Sequence, residues 1–150
     1  MRGNSKKLAA TDDVQIDDEV MPADEALVVR GLLAFNEDRL GPADDQPVKF
    51  VARDSTGVVV GGILGHTRWS WLYIAKLWVD EGARGHGLGT RLMTAAEALA
   101  RSRGCTDASL DTFDYQARPF YEKRGYKLFG TLEGYPPDSR QYYLRKRLRV

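Results

Sequence analysis

Cysteine is nearly absent from this 150-residue chain. Cys105 stands alone, so no internal disulfide can form and a reducing compartment fits. Cys105 follows Gly104 and precedes a strand-like run, a packing position, and neither His66 nor His86 has a sequence link to it. No apolar run approaches the roughly 20 residues of a membrane-crossing helix, and the N-terminus carries no apolar signal core. An excess of one charge is also missing. The 22 Lys and Arg residues nearly balance 21 Asp and Glu, which argues against a general nucleic-acid or membrane-surface role. The basic Arg140 to Arg149 stretch interleaves its charges with Tyr142, Tyr143, Leu144 and Leu148, as a strand with one solvated face does. No metal site is read. These absences leave the expectation of a soluble cytoplasmic protein with neither nucleic-acid nor membrane partners.

What is present reads as one domain with one core. Residues 1–11 are polar and are expected to be a flexible leader, with a single domain over 12–150. Val14 and Ile16 alternate with polar residues and suggest a short first strand over 13–17. Pro22 opens a helix of about 17 residues with Leu27, Val28, Leu32 and Phe35 on one face. Turn formers and acids fill 41–47. Strands are expected over 49–53 and 58–64, around the turn Asp54-Ser55-Thr56-Gly57, and then over 71–79. Leu88, Leu92, Ala96 and Leu99 recur at helical spacing up to Arg103-Gly104. A strand at 108–111, a short helix at 117–123 and strands at 126–132 and 141–148 complete an α/β pattern without internal repeats.

The most informative run is Arg84-Gly85-His86-Gly87-Leu88-Gly89-Thr90, between an apolar strand and a long helix. Glycines at alternate positions let an anion approach the main chain, where a Cβ would block it or forbid the backbone angles. The helix N-terminus behind them adds unpaired N–H groups and a favourable dipole. The dinucleotide fingerprint G-x-G-x-x-G fails, because counting from Gly85 its last position is Thr90 and counting from Gly87 it breaks at Thr90-Arg91-Leu92. A Walker loop fails too, for want of Gly-Lys followed by Ser or Thr. The spacing points to a pyrophosphate held by backbone.

The same run matches the R/Q-x-x-G-x-G/A signature of the GNAT superfamily of N-acetyltransferases. A second segment is similar to that superfamily's other cofactor region. It runs Leu110-Asp111-Thr112-Phe113-Asp114-Tyr115-Gln116-Ala117, then Phe120-Tyr121-Glu122-Lys123-Arg124-Gly125-Tyr126. The resemblance covers roughly residues 13–149 and is strongest from 72 to 126. It implies a central mixed, largely antiparallel sheet of six to seven strands flanked by about four helices (α+β within the α/β class). It implies acetyl-CoA as co-substrate, with Leu77, Trp78 and Val79 along the pantetheine arm. Arg84, Gly85, His86, Gly87, Leu88, Gly89 and Thr90 would then hold the pyrophosphate, with Asp114 and Ala117 beside the cofactor. Tyr121 matches the tyrosine that often protonates the departing thiolate. Asp114 stands where many relatives carry an asparagine, and an ionised carboxylate cannot donate that hydrogen bond.

The chemistry can be argued from the groups themselves. An alkylamine with pKa near 10.4 is mostly ammonium at pH 7 and must lose a proton before it attacks a thioester. A tyrosine with pKa near 10 keeps its proton at pH 7 and can give it to the leaving sulfur. The reading is direct transfer of acetyl to a primary amine, of a small molecule or of a peptide, in a ternary complex. The alternatives are a protein lysine or N-terminal acetyltransferase and a non-catalytic acyl-CoA-binding protein. No acid lies within 71–79 to serve as base, and strict alternation would put Tyr73, Ala75 and Leu77 on one face. Asp111 and Asp114 end the neighbouring strand, where one acid could act through a water. Trp69, Trp71 and Tyr73 alternate and could form an aromatic wall for a flat or cationic substrate. The strands after Tyr126 suggest a surface for a homodimer, since the Tyr-Tyr-Leu pattern at 142–144 would expose apolar groups on a chain-terminal strand.

Overall fold

The computed structural model describes residues 14–149; the expected leader at 1–11 lies outside the described residues. These form two units, one ending at Gly41 and the other beginning at Pro42. The first contains helix α1 (Pro22–Leu40). Pro22 fits at its first turn, where a missing N–H costs nothing, and the Asp24 carboxylate accepts the Met21 N–H at 2.9 Å. None of its residues is buried, and Leu27, Val28, Leu32 and Phe35, which share one face, are all exposed. Leu27, Val28 and Val29 follow one another at 100° steps, with Leu32, Leu33 and Phe35 beyond, which spreads apolar character wider than that one face. The first strand expected over 13–17 is absent from 14–17, where Ile16 is 97% exposed. Two alternating apolar residues do not make a strand without a neighbouring edge to pair with.

The second unit is a six-stranded sheet in the order β1-β2-β3-β4-β6-β5. Its strands are β1 (Gln46–Arg53), β2 (Val59–Arg68), β3 (Trp71–Val79), β4 (Asp107–Phe113), β5 (Lys127–Glu133) and β6 (Arg140–Arg147). Only the β3–β4 pair is parallel. Helix α2 (Leu88–Ser102) makes the connection between them, and α3 (Arg118–Lys123) follows β4. The described residues thus hold three helices, fewer than expected, and six strands, within expectation. Strand β2 runs four residues past the expected end. It meets β3 through the two-residue turn Trp69-Ser70, with Arg68 paired to Trp71.

Leu92, Met93, Ala96, Glu97 and Ala100 form the buried stripe of α2, at the i, i+3, i+4 spacing of an amphipathic helix. They pack with Val48, Ile63, Leu72, Ala108, Leu110 and Leu144 from the sheet. The stripe's one charge is satisfied in place: Glu97 accepts hydrogen bonds from Tyr126 at 3.0 Å and Lys146 at 2.9 Å. Strand β6 is interior, between β4 and β5, and its Leu144 is fully buried. Residues 142–144 therefore do not offer the exposed terminal strand on which a dimer was expected. The edge beyond β6 is β5, with Leu128, Phe129 and Leu132 exposed, and β1 forms the other edge.

Candidate active site

Strands β3 and β4 pair over only four positions, from Trp71 opposite Asp107 to Ile74 opposite Leu110. Beyond Ile74 they part, although β3 continues to Val79 and β4 to Phe113. The parting coincides with a bulge in β3: Leu64 pairs with Lys76 but Gly65 pairs with Ile74, which leaves Ala75 as the extra residue. A bulge shifts alternation by one. Leu72 and Ile74 face the core before it, and Leu77 and Val79 pack against the core after it. Tyr73 and Leu77 therefore lie on opposite faces, contrary to the strict alternation read from sequence. Past the bulge, residues 76–79 pair only with β2. Their other edge is an open row of backbone groups, which an extended ligand arm can pair with.

The glycine run closes this gap at one end. Asp80 accepts the Gly82 N–H at 3.1 Å, and the Arg84 Nε donates to the Val79 carbonyl at 3.1 Å, so both charged side chains brace the turn. Gly85 and Gly87 have φ of 80° and 76°, the left-handed region that only glycine enters freely. A Cβ at either would meet no atom within 4 Å; the requirement is backbone angle, and the space over both is open. Gly87 caps α2, and the first helical bond is the Arg91 N–H to the Gly87 carbonyl at 3.0 Å. The amides of Leu88, Gly89 and Thr90 thus have no acceptor inside the helix. Gly89 has a different reason. A Cβ there would sit 3.3 Å from the Phe120 ring, so its absence lets α2 and α3 pack closely. His86 is exposed beside the open loop.

Phe120 adjoins Tyr121, whose ring is buried against Phe120 and Tyr126. Burial, seconded by the charge of Asp111, pushes the Tyr121 hydroxyl above its usual pKa, so at neutral pH it is a proton donor. That hydroxyl makes no hydrogen bond among the described residues. Ala117 caps α3, its carbonyl accepting the Phe120 N–H at 3.0 Å. Asp114 is engaged elsewhere: its N–H donates to the Arg140 carbonyl at 3.0 Å, and its carboxylate accepts the Arg140 N–H at 3.1 Å. The expected contact with a cofactor thus competes with a strand-end clasp.

The sheet's other face carries a cavity of about 480 Å³ lined by His66, Arg68, Trp69, Trp71, Tyr73 and Ser109. All three aromatic residues expected as a wall line it. Trp71 and Tyr73 point there by alternation. Trp69 arrives from the turn at φ 44°, beside Ser70 at 63°, angles a two-residue hairpin demands and a bulky residue resists. The Tyr73 hydroxyl donates to Asp111 at 2.7 Å, and Gln141 Nε2 donates to the second Asp111 oxygen at 2.9 Å. Burial first, then Asp111, pushes the Tyr73 pKa up to about 12.

An opened parallel pair, a glycine cradle at a helix start and a buried tyrosine on the helix after β4 together make a recognisable constellation. Residues 15–126 match the model of the acetyltransferase (GNAT) family. This chain belongs to that family. The enzyme is 46% identical over 93 residues to a blasticidin-S acetyltransferase of Streptomyces morookaense, covering 61% of this chain and 68% of that one. It is 36% identical over 116 residues to an acetyltransferase of Agrobacterium fabrum, covering 77% and 85%. An acetyltransferase of Bacillus cereus superposes with TM-score 0.82 at 29% identity over 89% of this chain and 97% of the other. A structure assigned as a streptothricin acetyltransferase of Bacillus anthracis, in complex with acetyl coenzyme A, matches at TM-score 0.61 and 25% identity over 67% and 62%.

Two groups on the open face of this acetyltransferase went unread in the sequence. Gln141 and Tyr143 join Asp111 in one chain of hydrogen bonds, with the Tyr143 hydroxyl donating to Gln141 Oε1 at 3.0 Å. The signal was an alternation of polar groups on two strands, Ser109 with Asp111 and Gln141 with Tyr143. Only the strand order sets them side by side.

Proposed function

We propose that this GNAT enzyme transfers the acetyl group of acetyl-CoA to a primary amine of a small molecule by direct attack in a ternary complex. What supports the reading is the link from an aromatic cavity, through the hydrogen bond of Tyr73 to Asp111, to the buried, protonated Tyr121, which feels the charge of Asp111. The loop from Arg84 to Thr90 would take the pyrophosphate, and the open edge of Leu77, Trp78 and Val79 the pantetheine arm. The cavity at Trp69, Trp71 and Tyr73 would take the body of the acceptor. The amine, its ammonium proton first lost to water, forms the C–N bond at the thioester carbonyl as the C–S bond breaks, and the proton then shed by the new amide nitrogen replaces the one Tyr121 gives up. Tyr121 then gives its proton to the departing sulfur, as general acid. The names of the relatives that act on blasticidin-S and streptothricin support a small-molecule acceptor.

The test is release of CoA thiol from acetyl-CoA across polyamines, aminoglycosides, nucleoside antibiotics and peptides, with the acetylated product confirmed by mass. Saturable acetylation of one small amine, with peptides inert, supports the reading. Preferential acetylation of peptides would replace it with the protein-modifying alternative.

A further inference from the structure

The cavity is electrically lopsided. Arg68 lines one end and stands 5.2 Å over the Trp69 ring, while Arg145 stands 5.2 Å over Trp71. Each is ion-paired, Arg68 with Asp45 at 3.9 Å and Arg145 with Asp107 at 3.5 Å, and Asp107 lies where β3 and β4 are still paired. Asp111 adjoins this lining through Tyr73, whose hydroxyl donates to it. It is the first residue of β4 beyond the last paired position, Leu110, and it shares the face of Ser109 and Tyr73. Both its oxygens are held by neutral donors, from Tyr73 at 2.7 Å and Gln141 at 2.9 Å. No cation is paired with it among the described residues. A half-buried carboxylate fixed by two neutral hydrogen bonds still has lone pairs left, since two oxygens offer about four acceptor sites.

From this juxtaposition we propose that Asp111 is the ammonium subsite of the acceptor pocket. Its preferred ligand is a cationic primary amine attached to a flat ring. The proposal rests on the acetyl-transfer reading and names the substrate class for it. The ring lies among Trp71, Tyr73 and His66, where both arginines are already paired with acids and Asp111 is the carboxylate paired with no cation. The nitrogen is thereby turned toward the parting of β3 and β4, the side on which the Tyr121 phenol feels the charge of Asp111. Tyr73 and Gln141 are positioning residues, since they aim the carboxylate and leave its charge uncancelled.

The experiment is an amide-resolved NMR titration of the CoA-loaded enzyme with benzylammonium and, separately, with benzyl alcohol, which has the same ring without the charge. Wild type should bind benzylammonium about tenfold tighter, the order expected of one hydrogen bond to a charged group. The shifts should centre on Tyr73, Ser109 and Asp111. Asp111→Asn should remove the preference while benzyl alcohol and CoA still bind as in wild type, which also reports that the variant is folded. Equal affinities for the two probes in wild type would overturn the subsite without recourse to any variant. A charge preference that survives in Asp111→Asn would overturn it as well. Failure of the transfer reading looks different: no amine is acetylated, while the charge preference is still read from binding alone.

Discussion

The two sides of the site are built from different materials. The side facing α2 is made of backbone: left-handed glycines, a helix start and an open strand edge, all within residues 76–90. The side facing the cavity is made of side chains from β2, β3, β4 and β6, from His66 to Tyr143. In the function proposed above, backbone amides would recognise what every substrate pair shares, the diphosphate of a common donor. Side chains drawn from separate strands can be exchanged one at a time, so acceptor choice can change without disturbing the donor site. Tyr121 belongs to neither material alone. Its helix is seated by Gly89 against Phe120, while its hydroxyl feels Asp111 from the other face.

The largest expected effect falls where the two sides meet. Replacing Tyr121 by Phe should lower turnover by about 10²–10⁴-fold, the usual worth of a general acid, with acetyl-CoA affinity nearly intact. Single-turnover kinetics and calorimetry separate the two, and an unchanged chemical step would remove Tyr121 from the mechanism. A change on the donor side alone comes next. Gly87→Ala places a Cβ at φ 76°, which costs about 1–2 kcal/mol. Acetyl-CoA affinity should drop by about tenfold, while ring probes still enter the cavity. Loss of both kinds of binding in a folded variant would join the two sides into one unit.

A change on the acceptor side alone should pull stability and binding in opposite directions. Trp69→Asn with Ser70→Gly gives the hairpin residues that suit its positive φ. Relief of left-handed strain should add about 1 kcal/mol, raising Tm by about 2–4 °C. The same variant loses one cavity wall, so acceptor KM should rise with acetyl-CoA KM unchanged. Calorimetric scanning and steady-state kinetics read the two results. The smallest effect is a pH dependence. Tyr73 has a folded pKa of about 12 against 10.0 unfolded, so the folded state holds its proton more tightly. Its contribution is whole below pH 10 and is lost as pH rises from 10 to 12. Urea unfolding from pH 9 to 11 should show stability falling, and Tyr73→Phe should make the fall shallower.

The donor side was legible because its determinants are contiguous. Arg84 to Thr90 and the Phe120 to Tyr126 phrase can each be read along the chain. The reason assigned to Gly89 was still incomplete, since Phe120 approaches it only after α3 docks. On the acceptor side Trp69, Trp71 and Tyr73 could be seen because they are close in sequence. Asp111 read as a strand end, and its tie to Gln141 spans 30 residues. The bulge at Ala75 was hidden for a similar reason. It is a mismatch of register between two strands, and neither strand declares it alone.

Local chemistry, then, was sufficient for most of the helices and strands, the glycine turn that starts α2 and the short helix that carries Tyr121, because each depends on residues within one turn or one strand. Strand order was not local. It placed β6 beside β4, opened β3 from β4 after Ile74 and put β5 at the edge beyond β6. Those pairings gather a carboxylate, two tyrosines and an amide from three strands into one polar network on an aromatic wall. Burial and hydrogen bonding between distant segments decided that face of the molecule, and both are properties of the folded sheet.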